Sequence, residues 1–276
     1  MGDFEIDTTV EGADGRYRAR LSRDWEIWGP SGGFVAAIAL RAAGAQTELG
    51  RPASFAGHFL GVADFDGIDV GVQSLRRTKR AESLRVTMTQ QGRPVFEALV
   101  WAIGDVDGLE HEVGVMPEVP EPTTLRPMEE RLPPDAPVYK FWGNLELRPT
   151  DWIDDWECRP PGQTRQHGWY RFRPRATFDD PFVDAARSLL VLDTSLWPAA
   201  ARGHPGELAF YAPSLDVNLR LHAAEPESDW LLVDAFSPTA RDGLIGGIAS
   251  VWSQSGKLLA TGGQQMLCRP VTLRDS

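Results

Sequence analysis

The sequence predicts an α+β protein that uses one plan twice, an apolar helix followed by long antiparallel strands. Three observations carry this expectation. Alternation of apolar and polar residues dominates the chain on both sides of a proline-rich stretch. Only two segments, residues 33–47 and 179–193, read as convincing helices. The order of elements in the first part also recurs in the second, at low identity, so that pattern and order carry the match.

The first unit opens with a strand candidate, "GRYRARL". The helix at 33–47 follows, with Arg41 its only charge before Glu48. A helix without a polar face is buried on most sides. "GIDVGVQSLRR" alternates at Val70 and Val72. "SLRVTMTQ" sets Leu84, Val86 and Met88 on one face and Arg85, Thr87 and Thr89 on the other, the period of a half-buried antiparallel strand. "QGRP" then turns the chain into "VFEALVWAI". The unit is expected to be one buried helix followed by a meander.

Residues 106–138 are rich in Pro and Glu. Prolines are excluded from helix interiors and central strands, so this segment is read as a connection packed along the surface. The expected organisation is a first repeat at 1–105, a connection at 106–138 and a second repeat at 139–276. In the second, "HGWYRFRP" stands where "GRYRARL" stood. "DDPFVDAARSLLVLD" is a helix with Asp179 or Asp180 as N-cap and Pro181 in its first turn. "DWLLVDAF" matches "GIDVGVQSL", and "IASVWSQSGKLLATGGQQMLCRP" matches the strand–turn–strand of the first unit, after a longer "SPTARDGLIG" loop. A duplicated unit of this kind is the arrangement of a double hot-dog fold: each long sheet wraps its own helix, and the two sheets join edge to edge.

Composition narrows the function. Acidic residues outnumber basic ones 39 to 28, a net charge of −11, which argues against nucleic acid or an anionic membrane as the main partner. The two cysteines, Cys158 and Cys268, form no Cys-x-x-Cys pair, so a reducing cytoplasm is expected. The acidic, polar N-terminus does not read as a targeting signal, and the apolar run at 34–40 is far short of the ~20 residues that span a bilayer. No His/Cys/carboxylate spacing suggests a metal site, and no phosphate-loop or dinucleotide glycine motif is present.

One motif needs weighing. Gly29-Pro30-Ser31-Gly32-Gly33 matches the G-x-S-x-G of a serine hydrolase nucleophile elbow. That elbow needs a parallel α/β scaffold with many helices. His58, His111, His167, His204 and His222 are available, so the order alone could be met by Asp193 and His222, but His222 sits next to a loop and no motif surrounds it. The better reading is a helix start: Ser31 caps, Gly32 and Gly33 admit another chain or a ligand, and free N–H groups there receive an anion or a polarised carbonyl oxygen.

The stretches "GGFVAAIALRAA", "FAGHFLGVADFD", "SLRRTKRAESLRVTMTQQGRPVFEA", "LLVLDTSLW", "APSLDVNLRLH" and "DWLLVDAFSPTARDGLIGGIASVWSQSGKLLATGGQQ" together resemble the acyl-CoA thioesterase II family and its double hot-dog relatives over nearly the whole chain. The resemblance implies a catalytic aspartate, hydroxyl and glutamine around one water, which fall on Asp193, Ser214 and Gln264. It implies an acyl-CoA substrate, with coenzyme A present only as part of that substrate and no separate cofactor. The chain departs from the family pattern at Thr194, where histidine follows the aspartate, at Ser214 in place of threonine, at the segment after Ser214, and at Phe34, where glutamine is common.

That chemistry is sufficient for a thioester. A thiolate leaving group, with a conjugate acid pKa near ~8.5, departs without a strong general acid. Asp193 is the expected general base, Ser214 and Gln264 hold the water, and an N–H at Gly33 or nearby receives the oxyanion. Alternation places either Gln264 or Gln265 toward the core; the resemblance selects Gln264. Gly32, Gly33 and His58 are expected to bind substrate. Arg76, Arg77 and Arg80, beside Lys79 in the densest basic cluster, are candidates for the coenzyme A phosphates, against the reading of a solvated hairpin loop. Aligning the repeats sets Asp193 opposite Gly33, Ser214 opposite Ser54 and Gln264 opposite Val100, so one site per chain is expected. Long sheets leave edges and faces to cover, which predicts a homo-oligomer, a dimer or tetramer. The rivals are a hot-dog hydratase or dehydratase using His58, and a non-catalytic acyl or acyl-CoA binder.

Overall fold

The computed structural model describes residues 1–133, 135–155, 158, 163–206 and 208–271; position 134 of the connection and the last residues of the second repeat, 272–276, lie outside the described residues. The first half contains α1 (Phe4–Asp7), β1 (Glu11–Ala13), β2 (Arg16–Arg20), α2 (Gly32–Gln46), β3 (Arg51–Phe59), β4 (Gly67–Arg77), β5 (Ala81–Gln90) and β6 (Arg93–Ile103). After the connection come β7 (Leu145–Pro149), β8 (Arg165–Phe172), α3 (Pro181–Ala201), β9 (Phe210–Tyr211), β10 (Asp216–Leu221), β11 (Leu231–Arg241), β12 (Leu244–Ser253), β13 (Leu258–Leu267) and β14 (Arg269–Pro270).

Twelve strands form one antiparallel sheet in the order β1-β2-β4-β5-β6-β3-β10-β13-β12-β11-β8-β7. The order reads the same outward from its middle, β3 matching β10 and β6 matching β13. This is a double hot-dog fold, two tandem units whose sheets join edge to edge around central helices. The seam is the β3–β10 pair, in register from His58 opposite Asp216 to Ser54 opposite Arg220. Each unit is not the plain meander expected from the alternation. The first strand after α2 pairs with the last, β6, and so becomes the inner edge that meets the other half.

Helix packing differs from the expectation in an informative way. Every residue of α2 from Gly33 to Leu40 is buried, as are Ala42 and Ala43. The sheet alone does not achieve this, because α2 and α3 also pack on each other. An ideal Cβ on Gly33 would lie 2.9 Å from the Leu190 Cα, and one on Gly44 2.5 Å from the Phe182 ring. Gly33 therefore meets Leu190 while Gly44 meets Phe182, so the helices run antiparallel in close approach. The single charge of α2, Arg41, reaches back to the Glu5 carbonyl and to Thr8 Oγ1.

Helix α3 begins as its sequence indicates. Asp180 is the N-cap, accepting from the Phe182 and Val183 N–H groups, and Pro181 occupies the first turn. It does not stop at residue 193. It runs on to Ala201 through Pro198, so Asp193 sits mid-helix rather than at a helix end. The "SPTARDGLIG" stretch is likewise a hairpin and not a loop. β11 continues to Arg241, and a turn at Asp242 (φ 54°) and Gly243 (φ 79°) leads directly into β12. Paired positive φ angles match the twist of the flanking strands, and Asp-Gly is the sequence that tolerates them.

Among the described residues, the segment 106–138 contains no strand and only short 3₁₀ turns, at Pro122–Thr124 and Met128–Glu130. It lies on the second half of the sheet. Met116, Val119 and Leu125 cover a cluster of Trp169, Trp230, Leu232 and Trp252, and the Trp169 indole N–H donates to the Pro120 carbonyl at 3.0 Å. Arg148 ties the segment down by donating to the carbonyls of Pro122 and Leu125.

The helix–helix contact generates a prediction. Alanine exceeds glycine in helix propensity by about 1 kcal/mol. Gly44→Ala should nevertheless destabilise the protein by about 1–3 kcal/mol, because the added methyl group must displace the Phe182 ring. Urea unfolding of the two proteins measures the difference.

Candidate active site

The centre of the candidate site is the Asp193 carboxylate. Its Oδ2 accepts the Gly33 N–H at 2.7 Å and its Oδ1 accepts the Ser214 hydroxyl at 3.0 Å. The Gln264 side-chain amide donates to the Asp193 main-chain carbonyl at 3.3 Å. That bond orients the amide so that its Oε1 lies 3.4 Å from Ser214 Oγ. Four elements deliver these groups: α3 carries Asp193, the start of α2 carries Gly33, β13 carries Gln264, and Ser214 stands just before β10, bridged to Met266 of β13. The site therefore lies at the seam, beneath the start of α2.

The neighbouring glutamines take opposite faces, as alternation requires. Gln264 is buried toward Asp193, whereas Gln265 is half-buried on the other face, its main-chain N–H donating to Asp216 Oδ1.

Asp193 fills a vacancy at the helix start. The first N–H groups of a helix have no partner within it, and an N-cap side chain usually accepts one. Ser31 occupies the N-cap position of α2 but makes no such bond. The carboxylate from the other helix takes the Gly33 N–H instead. Burial raises the Asp193 pKa to about 6 from 3.8, and the bonds from Ser214 and Gly33 hold it back from rising further. Part of the residue remains accessible, as a group that must meet water requires.

The other anticipated residues are distributed differently. Gly32 sits against the site, where an ideal Cβ would lie 3.2 Å from Asp193 Oδ2 and 3.0 Å from the Phe59 ring. His58 is exposed on the far face of the seam and not beside Asp193. Phe59, next to it and pointing the other way, is the residue that reaches the site; the alternation within "GHFLG" was the available signal. Arg76, Arg77 and Arg80 belong to the β4–β5 hairpin. That hairpin lies at the other end of α2, where Thr47 bonds to Glu82. The helix separates it from the site by about 22 Å, at ~1.5 Å per residue. Arg77 is paired there with Glu48.

Ser31 is only 3% exposed, and its hydroxyl has no hydrogen-bond partner among the described residues. His222, considered as the triad histidine of an elbow, bonds through Nε2 to Thr261. The elbow arrangement is therefore not built. Among the described residues no cluster of three or more His, Cys, Asp or Glu side chains is placed to hold a metal ion.

Comparison with known proteins places the chain in a family. The family model for the acyl-CoA thioesterase N-terminal domain matches residues 21–103, and that for the acyl-CoA thioesterase C-terminal domain matches residues 117–268. The chain belongs to the acyl-CoA thioesterase family. Solved structures share the fold along its length. An acyl-CoA thioesterase II from Mycobacterium marinum is 22% identical, with TM-score 0.80 over 98% of this chain and 99% of that one. The tesB protein of Mycobacterium avium subsp. paratuberculosis is 24% identical, with TM-score 0.77 over 97% and 98%. A hot-dog protein of unknown function from Alicyclobacillus acidocaldarius is 22% identical, with TM-score 0.82 over 98% of both chains.

In this member of the acyl-CoA thioesterase family, the raised pKa of Asp193 has a consequence for stability. The folded state holds the extra proton between about pH 4 and pH 6, so stability falls as pH rises through that window and is level above it. Asparagine accepts from Gly33 and donates to Ser214 without a buried charge. Asp193→Asn should therefore be the more stable protein at pH 7, by on the order of 3 kcal/mol, with the difference vanishing below about pH 4. Denaturant unfolding across this pH range measures it.

Proposed function

We propose that this protein hydrolyses acyl-CoA thioesters with a water activated by Asp193. The observation that supports this reading is the convergence of the Gly33 N–H and the Ser214 hydroxyl on one buried carboxylate whose pKa is raised to about 6. Such a group is ionised at neutral pH yet basic enough to take a proton from water, the optimum for a general base.

The hydrogen-bond inventory supports the following division of roles. Ser214 has one hydroxyl proton and gives it to the ionised carboxylate, its nearer acceptor. This leaves the lone pairs of Ser214 Oγ and Gln264 Oε1 to receive a water hydrogen. The water, held between these oxygens and the carboxylate, attacks the thioester carbonyl as Asp193 takes its proton. The Gly33 N–H is committed to Asp193 and does not serve the oxyanion. The adjacent Gly32 and Phe34 N–H groups, with no acceptor among the described residues, face that task at the positive end of α2. The tetrahedral intermediate then expels the coenzyme A thiolate, which takes up the proton held by Asp193 or one from solvent. The exposed position of His58 gives no support to a hydratase that would use it.

Release of free thiol from acyl-CoA tests the reading. Asp193→Ala should lose about 10²–10⁴-fold in kcat, while Ser31→Ala retains activity. For the wild type, kcat/KM should rise about tenfold per pH unit below pH 6 and level off above it. Full activity in Asp193→Ala would overturn the proposal.

A further inference from the structure

Close along the chain to the residues of the site stand apolar side chains that the described residues leave exposed. Isolated exposed apolar residues are ordinary, but a contiguous patch beside a reactive group marks a binding surface. Trp28 is 51% exposed at the tip of a tight loop closed by the Glu26–Pro30 bridge. Its indole packs on the Tyr211 ring, centroids 5.1 Å apart at 59°. On the other side of the loop, Val62 lies 3.7 Å from the Cβ position of Gly29 and is 84% exposed. Leu215 is also exposed, and its carbonyl accepts the Phe59 N–H at 2.9 Å.

Chain connectivity fixes where this rim stands. Trp28 precedes Gly33, and Tyr211 precedes Ser214, so the aromatic pair bridges the two segments that supply the hydrogen bonds to Asp193. Three residues span at most about 10 Å, which bounds the separation of the Tyr211 and Ser214 Cα atoms.

The interior behind the site is filled in contrast. Phe34, at the position where the family pattern often has glutamine, is fully buried and stacked on Trp25 at 5.2 Å and 8°. Phe59 closes over Gly32 and packs on Phe96 at 4.9 Å. A long chain threading inward from the Asp193 carboxylate would have to displace these rings from a close-packed core.

We propose that the acyl group of the substrate lies outward, on the Trp28–Tyr211 rim, and that the preferred substrates are CoA thioesters of aryl-alkanoyl groups and not of long straight chains. This rests on the thioester-hydrolysis reading above. An aryl ring separated from the carbonyl by two or three carbons reaches the rim and offers a flat face to the half-exposed indole, the pairing that aromatic rings favour.

The test uses acetyl-, hexanoyl-, palmitoyl- and 3-phenylpropanoyl-CoA, with wild type, Trp28→Ala and Trp28→Phe. Wild type should favour 3-phenylpropanoyl-CoA over palmitoyl-CoA in kcat/KM. Trp28→Ala should lose about tenfold on the phenylpropanoyl substrate with little change on acetyl-CoA, and Trp28→Phe should restore most of the loss. A best activity on palmitoyl-CoA overturns the proposal. So does an equal loss on acetyl- and phenylpropanoyl-CoA, which would place Trp28 against the coenzyme. Calorimetry with the non-hydrolysable thioethers S-methyl- and S-(3-phenylpropyl)-CoA separates the two readings. A Trp28-dependent preference for the phenylpropyl thioether without any hydrolysis retains the rim and removes the hydrolase. Hydrolysis without that preference does the reverse.

Discussion

The hydrogen bond from the Gly33 N–H to Asp193 joins the two halves of the chain at the point where everything else meets. It exists because Gly33 lacks a side chain, so that the start of α2 reaches the backbone of α3 at Leu190. It also supplies a cap that Ser31, placed at the N-cap position, does not provide. A helix start carries partial positive charge, and a carboxylate there is favourable. One contact thereby orders the helix pair and sets the carboxylate at the seam, beside the start of α2.

The same contact balances two opposing effects. Burial drives the Asp193 pKa up, and the two hydrogen bonds drive it down. A wholly unpaired buried carboxylate would stay protonated and could not act as a base, while a fully solvated one would be too weakly basic. The candidate site therefore holds a charge at neutral pH that the fold would be more stable without.

Duplication shapes the helix pair, though not as the expected alignment of Asp193 with Gly33 has it. Helix α2 begins at Gly32 and α3 at Pro181, so by position along the helix Gly33 corresponds to Phe182 and Asp193 to Gly44. The contact of Gly33 with Asp193 at one end of the pair and that of Gly44 with Phe182 at the other are therefore counterparts of each other. A helix start meets a carboxylate in the first and a phenylalanine meets a glycine in the second, so the two ends of the same packing arrangement differ in polarity.

The residues by themselves determined a good deal. Period-two alternation marked β4, β5, β6, β8, β11 and the β12–β13 hairpin, because each has one face on the core. Apolar character marked both helices, and an Asp-Pro start marked α3. The resemblance selected the trio Asp193, Ser214 and Gln264, which the fold brings within hydrogen-bond reach of one another. What the pattern left dim were the seam strands β3 and β10: one opens on Arg-Pro and holds Gly57, the other is short, and their pairing depends on a partner far away in sequence. The extent of α3 past Asp193 was hidden by Pro198, a local breaker that tertiary packing overrides. Only the folded structure separated His58 from Phe59, put the basic hairpin at the far end of α2 and gave the helix cap to a residue from the other half. Those outcomes depend on which surfaces meet across the seam, and no local pattern of side chains encodes that.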